Sequence, residues 1–211
     1  MSTSNNIFFG INIDPSPDYG KALHSTQLAE HLGFDHALIQ DHAYNPGFVE
    51  TWTLISALTG ATSRIMLGPN VMTTPLRLPA MIAKEAATLN MISGGRLLLG
   101  LGAGASDEGI VGLGGPDLRE KGAKFRAFFD ALHIVRGLWE SEGEPFSHEG
   151  QELSVRDVHF GPRPVRRIPI ITGAMGPQSL RLTTKLADGI SLSTTYVPAE
   201  RLSWFRDQLD Q

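Results

Sequence analysis

Short apolar runs alternate with longer amphipathic ones along almost the whole chain. Ile7–Ile13 (IFFGINI), His36–Asp41 (HALIQD), Ile65–Met72 (IMLGPNVM), Arg96–Ala103 (RLLLGLGA), Ile168–Ala174 (IPIITGA) and Gly189–Thr194 (GISLST) read as strands. Their nearly continuous apolar character predicts strands covered on both faces, as in a parallel sheet. Between them the hydrophobic period lengthens to that of a helix. In DYGKALHSTQLAEHLGFD the positions Tyr19, Ala22, Leu23, Thr26, Ala29 and Leu32 share one face, and Gly33 followed by Phe34 supplies a left-handed stop. LPAMIAKEAATLNMISGG opens on Pro79 and ends on Gly94–Gly95. The longest helical pattern, LREKGAKFRAFFDALHIVRGLW, carries Leu118, Phe125, Phe128, Phe129, Leu132, Val135, Leu138 and Trp139 on one stripe.

Early strands recur at intervals of about thirty residues, the length of a βαβ unit. The interval from Arg96 to Ile168 is longer, and residues 140–167 read as a polar, Gly/Pro-punctuated insert with room for a hairpin. Gly100, Gly102 and Gly104 alternate at the end of the fourth strand run. GLGAGA satisfies a dinucleotide-binding pattern, with Glu120 twenty residues after Gly100. In a Rossmann fold, however, that acidic residue must end the next strand to reach a ribose. Here no strand intervenes, and Glu120 falls in the first turn of the long helical pattern. A TIM-type (β/α)8 barrel explains the rhythm better, because its active site forms at the carboxyl ends of successive strands. About six βα units are present, so the chain reads as one barrel-type domain over residues 1–211, either truncated at its C-terminus or an unusual incomplete barrel. The expectation is that the coding sequence continues for about two more units.

Composition narrows the function classes. The 211 residues carry a net charge of −4 and no cysteine. Disulfides, thiolate nucleophiles and zinc–thiolate sites are excluded, and a reducing, cytoplasmic setting is expected. With no Lys/Arg run, neither nucleic acid nor an anionic membrane is an expected partner. No apolar stretch reaches the ~18 residues of a membrane span, and the N-terminus lacks the basic region of a signal peptide. No metal site is expected: His24, His31, His36, His133, His148 and His159 have no ligand spacing.

Three segments together resemble the bacterial luciferase-like superfamily of flavin- and deazaflavin-dependent oxidoreductases. They are AEHLGFDHALIQDH, IMLGPNVMTTPLRLPAMIAKEAATLNMISGGRLLLGLGAG and GPRPVRRIPIITGAMGPQSLRLTTKLADG. The resemblance implies a (β/α)8 barrel with an insert after the fourth unit, which matches residues 140–167. GAMGPQSLRLTTKLADG resembles the branch that uses the deazaflavin coenzyme F-420, such as methylenetetrahydromethanopterin reductases. Sugar-phosphate dehydrogenases of that branch carry Glu directly after the Gly-x-Gly, where this chain has Ala105. The resemblance therefore disfavours that substrate.

Under this resemblance the candidate site residues fall at strand ends. Asp41 and His42 end the second strand on the rim of a barrel, His42 as a proton donor or acceptor and Asp41 as an orienting carboxylate. The plainer alternative is a loop-capping Asp and a solvated His. The relatives carry a non-prolyl cis peptide behind the ring, which aligns here with Asn70–Val71; an ordinary bulge at Pro69 is the alternative. Gly102, Ala103 and Gly104 would wrap the phosphate-bearing tail with backbone N–H groups, unless the glycines only permit tight packing. Gly173, Ala174, Met175 and Gly176 would approach the phosphate or the ring edge at a helix start, or else form a structural loop. The leading reading is hydride transfer with F-420 acting on a small-molecule substrate. An FMN-dependent monooxygenase using oxygen and a non-catalytic flavin-binding barrel are the alternatives, and a metal-dependent hydrolase lacks ligands beyond Asp41–His42. FVETWTLISALTG and the Leu78–Met91 helix carry enough apolar surface to predict a homodimer, since family members commonly pair through this side.

Overall fold

The apolar runs form parallel strands, and the amphipathic runs return the chain between them as helices. The computed structural model describes residues 7–173, 176–193 and 197–209. In chain order the elements are β1 (Gly10–Ile13), α1 (Tyr19–His31), β2 (His36–Ile39), α2 (Thr51–Gly60), β3 (Met66–Pro69), β4 (Met72–Thr73) and α3 (Pro79–Ser93). There follow β5 (Leu99–Gly102), α4 (Asp107–Gly112), α5 (Ala123–Glu140), the hairpin β6 (Phe146–Glu149) and β7 (Ser154–Val158), β8 (Ile170–Thr172), α6 (Pro177–Leu186), β9 (Gly189–Ile190) and α7 (Leu202–Leu209). One parallel sheet has the order β1-β2-β3 and a second β4-β5-β8-β9, joined by a bridge between Leu67 and Leu97. Among the described residues the array does not close: β1 pairs only with β2, and β9 only with β8. No helix among these residues is long and apolar enough to cross a membrane.

Helix boundaries follow the local chemistry. α1 stops where Gly33 turns left-handed (φ 91°) and the Phe34 N–H reaches back to the Ala29 carbonyl at 3.0 Å. The strands are shorter than the apolar runs that predict them, the Ile65–Met72 run is split into β3 and β4, and further differences from the sequence expectation have local causes. The first ladder begins at Gly10 rather than Ile7, leaving Phe8 and Phe9 each 64% exposed. The long helix begins at Ala123 rather than Leu118, because Gly122 is left-handed (φ 86°) and cannot continue a helical turn backwards. Glu120 therefore precedes the helix. The glycine-rich segment also contains α4, started by the Ser106 hydroxyl accepting from the Gly109 N–H at 3.0 Å.

The core lies between the strands and their helices. Ala37, Ile39, Leu67, Leu99, Leu101 and Ile170 are buried on the strands, against Ile55, Leu58, Ile82, Leu132 and Leu138. Each of the Ile and Leu side chains contributes about 1.5–3 kcal/mol on leaving water. Ala83, Ala86 and Ala87 let α5 approach α3 closely, and the Trp139 indole N–H donates to the Ala83 carbonyl at 3.0 Å.

Charged clamps close the amino ends of the strands. Arg96 donates to the carbonyls of Thr59, Thr62, Ile65 and Ser93. Asp188 accepts from the Ile170 N–H at 2.8 Å and from Arg136 at 2.6 Å, and also pairs with Arg167. Burial opposes ionisation of Asp188, but the Ile170 amide and the two guanidinium groups outweigh it and hold its pKa below the ordinary value. A carboxylate depressed in the folded state stabilises above its unfolded pKa, and that contribution disappears as pH falls through the folded value. Asp188→Asn is expected to lower stability at neutral pH by about 1–3 kcal/mol. In urea unfolding the gap to the parent should narrow toward pH 3; a pH-independent gap would contradict the assignment.

Candidate functional site

Parallel register brings the carboxyl ends of the strands together. Ile13 pairs with Ile39, Ile39 with Pro69, Thr73 with Gly102, and Leu101 with Thr172. The residues that follow, Asp41, His42, Asn70, Val71, Gly102–Gly104 and Gly173, therefore all lie at one end of the array. All are expected site residues from the sequence.

Asp41 is 1% exposed, and protein donors occupy its carboxylate. Its Oδ2 accepts from the Thr73 N–H and from Arg77 Nη1, both at 2.7 Å, while its carbonyl accepts from the Thr73 hydroxyl at 2.7 Å. Arg77 also pairs with Glu50, whose carboxylate starts α2 by accepting from the Trp52 and Thr53 N–H groups at 3.1 and 2.6 Å. Burial opposes charge on Arg77, yet Asp41 and Glu50 raise its pKa above the ordinary arginine value. Glu85 nearby shifts the other way: burial and the Glu50 charge push its carboxyl up, against the attraction of Arg77. Arg77, Glu50, Thr73 and Glu85 had no sequence signal, because neither PLRLPA nor FVETW has chemistry-bearing spacing.

His42 follows Asp41 and is half-buried. Its Nδ1 lies 2.7 Å from the Tyr44 hydroxyl, and its ring centroid is 5.5 Å from that of Tyr44 and 6.5 Å from that of Phe48. Tyr44 was not among the expected site residues.

The Asn70–Val71 peptide is cis, as the family resemblance implies, and falls between β3 and β4. The Asn70 N–H donates to the Ile39 carbonyl at 2.7 Å, and its Oδ1 accepts from the Ser191 hydroxyl at 2.6 Å. Ser191 directly follows β9, so this bond spans the second sheet. The Val71 side chain lies over glycines: a Cβ on Gly102 would stand 2.5 Å from Val71 Cγ2, and one on Gly173 3.1 Å from it. A Cβ on Gly100 would overlap the Pro69 carbonyl oxygen. Gly100 and Gly102 therefore leave the space that the Pro69 carbonyl and the Val71 side chain occupy.

Beyond β5 the chain opens. Among the described residues the backbone N–H groups of Gly104 and Ala105 donate to no protein acceptor, and Ala105 is exposed. Lys124 on α5 pairs with Asp107 at 2.6 Å and reaches the Gly104 carbonyl at 3.4 Å, tying the turn to the long helix. Gly176 precedes α6, where Ser179 Oγ accepts from its N–H at 3.2 Å. Ala174 and Met175 lie outside the described residues. Successive strand residues face opposite sides of a sheet. Gly102 faces Val71, so Ala103 faces the other way, into a cavity of about 500 Å³ bounded by Leu76, Leu118, Lys124, Phe128 and Leu153. Neither His42 nor Asn70 lines that cavity.

The glycine contacts generate a stability test. Gly102→Ala is expected to cost about 1–3 kcal/mol through overpacking, and adding Val71→Ala should restore much of it by removing the opposing methyl. Gly100→Ala should not be rescued by Val71→Ala, because its obstacle is a backbone oxygen. Equal rescue of both in urea unfolding would refute this packing.

The sequence profile of the luciferase-like monooxygenases matches residues 4–211. The chain is 34% identical over 174 residues to an F420-dependent glucose-6-phosphate dehydrogenase of Beutenbergia cavernae, covering 78% of this chain and 49% of the relative. It is 33% identical over 189 residues to a 5,10-methylenetetrahydromethanopterin reductase of Archaeoglobus fulgidus, covering 89% and 53%. The solved structure of the coenzyme F420-dependent tetrahydromethanopterin reductase of Methanopyrus kandleri superposes with a TM-score of 0.74 at 27% identity, covering 88% of this chain and 55% of that one. The chain spans about half the length of the curated relatives it matches. With strand ends, cis peptide and glycine turn in the arrangement just described, the chain belongs to the luciferase-like monooxygenase family.

Proposed function

We propose that this chain carries the cofactor-holding part of an oxidoreductase that uses coenzyme F-420 in preference to FMN. The observation that carries the reading is the convergence, at one end of the strand array, of His42, the Asn70–Val71 peptide and the Gly104 and Ala105 amides, which have no acceptor among the described residues. The names of the Beutenbergia cavernae relative and of the solved Methanopyrus kandleri structure, both F420-dependent, support F-420 over FMN.

The residues present fit a ring joined to a phosphate-bearing tail. Asn70 and Val71 would lie behind the ring. Gly104 and Ala105 offer N–H groups to the phosphate; the Gly173 and Gly176 N–H groups are committed to the Leu101 carbonyl and to Ser179 Oγ, so these two glycines would contribute close backbone approach rather than donors. When bound, a deazaflavin ring supplies two-electron hydride chemistry. His42 exchanges a proton at the substrate edge. Asp41 acts as a positioning residue, since its carboxylate is committed to Thr73 and Arg77. The substrate in this reading is a small molecule, and Ala105, at the place where the resemblance puts Glu in sugar-phosphate dehydrogenases, disfavours a sugar phosphate.

Residues 1–211 form one domain of an eight-stranded barrel design in this reading, with 140–167, which holds the β6–β7 hairpin, as the insert after its fourth unit. Among the described residues β1 pairs only with β2 and β9 only with β8, and an eight-stranded barrel would close between these two edges. Leu78, just before α3, and Met81 and Ile92 on it stand exposed and suit a homodimer contact.

Titration of the protein with oxidised F-420 and with FMN, read by fluorescence, is expected to give tighter F-420 binding; tighter FMN binding, or binding of neither, overturns the proposal. His42→Ala should lower turnover by ~10²–10⁴ with nearly unchanged cofactor affinity, and an unaltered rate would remove His42 from the chemistry. Light scattering at micromolar concentration should report a dimer mass, and a monomer counts against the α3 contact.

A further inference from the structure

His42 is restrained from two directions. Behind it, Asp41 is anchored to Thr73 and Arg77. On the other side the Tyr44 hydroxyl lies 2.7 Å from Nδ1. The Tyr44 ring is itself seated: a Cβ on Gly109 would stand 2.5 Å from Tyr44 Cγ, so the ring lies directly against α4. α4 is in turn held by the Ser106 cap and by the Lys124–Asp107 pair on α5.

We propose that Tyr44 is a positioning residue that sets the tautomer of His42, donating its phenolic proton to Nδ1 and leaving the imidazole proton on Nε2. A neutral imidazole nitrogen is a better hydrogen-bond acceptor than a phenol oxygen, and a phenol a better donor than a neutral imidazole N–H. Of the two directions the 2.7 Å contact allows, phenol to Nδ1 is therefore the stronger. When the imidazole gains a proton, Nδ1–H becomes a donor, and the hydroxyl rotates to accept from it. A carbonyl could serve only one of the two protonation states, but a hydroxyl serves both. Nδ1 thus stays engaged with Tyr44 throughout, and Nε2 is the nitrogen that gives and takes protons. The consequence for catalysis rests on the F-420 reading above; the tautomer does not.

The test uses the protein without added cofactor, labelled with 15N-histidine. Long-range 1H–15N correlation is recorded at a pH where His42 is neutral, with His42→Ala identifying the signal. The expected parent spectrum shows an acceptor-type Nδ1 and a protonated Nε2. Tyr44→Phe should shift both nitrogens toward a mixture of tautomers. Gly109→Ala, which displaces the ring while keeping the hydroxyl, should do the same. A proton on Nδ1 in the parent, or ring shifts unchanged in both variants, overturns the proposal. In F-420-dependent turnover Tyr44→Phe should lower kcat by up to ~10²-fold with cofactor affinity retained. Absence of F-420 binding would sink the cofactor reading and leave the spectroscopic result standing.

Discussion

A carboxylate removed from water must be paired, and leaving one buried and uncompensated costs several kcal/mol. Asp41 meets that requirement with the Thr73 N–H and Arg77, and the link between the two sheets at the carboxyl ends of their strands runs through this pairing. The β2–β3 ladder stops at Ile39 and Pro69, where the chain turns at Asn70–Val71. From there the side chain and carbonyl of Asp41 take over from the backbone ladder by bonding Thr73 on β4. The first sheet is thereby joined to the second at the site. Arg77 extends the join to Glu50 and the start of α2, so that His42, one residue on, is carried by a fixed frame.

Opposite this hub the strands are thinned. Gly100, Gly102 and Gly173 leave the room that Val71 and the Pro69 carbonyl fill. The same alternation of side-chain direction sends Ala103 to the other face of β5, toward a separate cavity next to α5. A strand only four residues long thus separates two environments. One is built around Val71, and the other is walled by helix and hairpin.

The two ends of the array are built for different tasks. At the amino ends, Arg96, Glu30 and Asp188 use charge to gather backbone groups. Glu30 accepts from the Ser63 and Ile65 N–H groups at 2.9 Å, and those amides with that of Arg64 depress its carboxyl pKa despite the opposing cost of burial. At the carboxyl ends Asp41 and Arg77 join the two sheets, while the His42 ring and the Gly104 and Ala105 amides lie beyond the strands.

The strand–helix rhythm, the parallel sheet, the ends of α1 and α3, and the placing of Asp41, His42, Asn70, Val71 and Gly102 at strand ends were legible in the chain, because they rest on local periodicity and on glycine and proline stereochemistry. The first strand starts at Gly10 rather than Ile7 and the long helix at Ala123 rather than Leu118, since an apolar run does not reveal which of its residues find a ladder partner, and the left-handed turn at Gly122 outweighs the stripe. The roles within the site were not legible. The sequence placed Asp41 at a strand end, but its donors lie 32 and 36 residues away, and Asn70 meets Ser191 across 121 residues. Such pairings leave no spacing to read, because they are set by where strands and loops meet in space. Local stereochemistry determined which residues reach the rim; only the tertiary structure decided that Asp41 is spent on holding it and that His42 faces Tyr44.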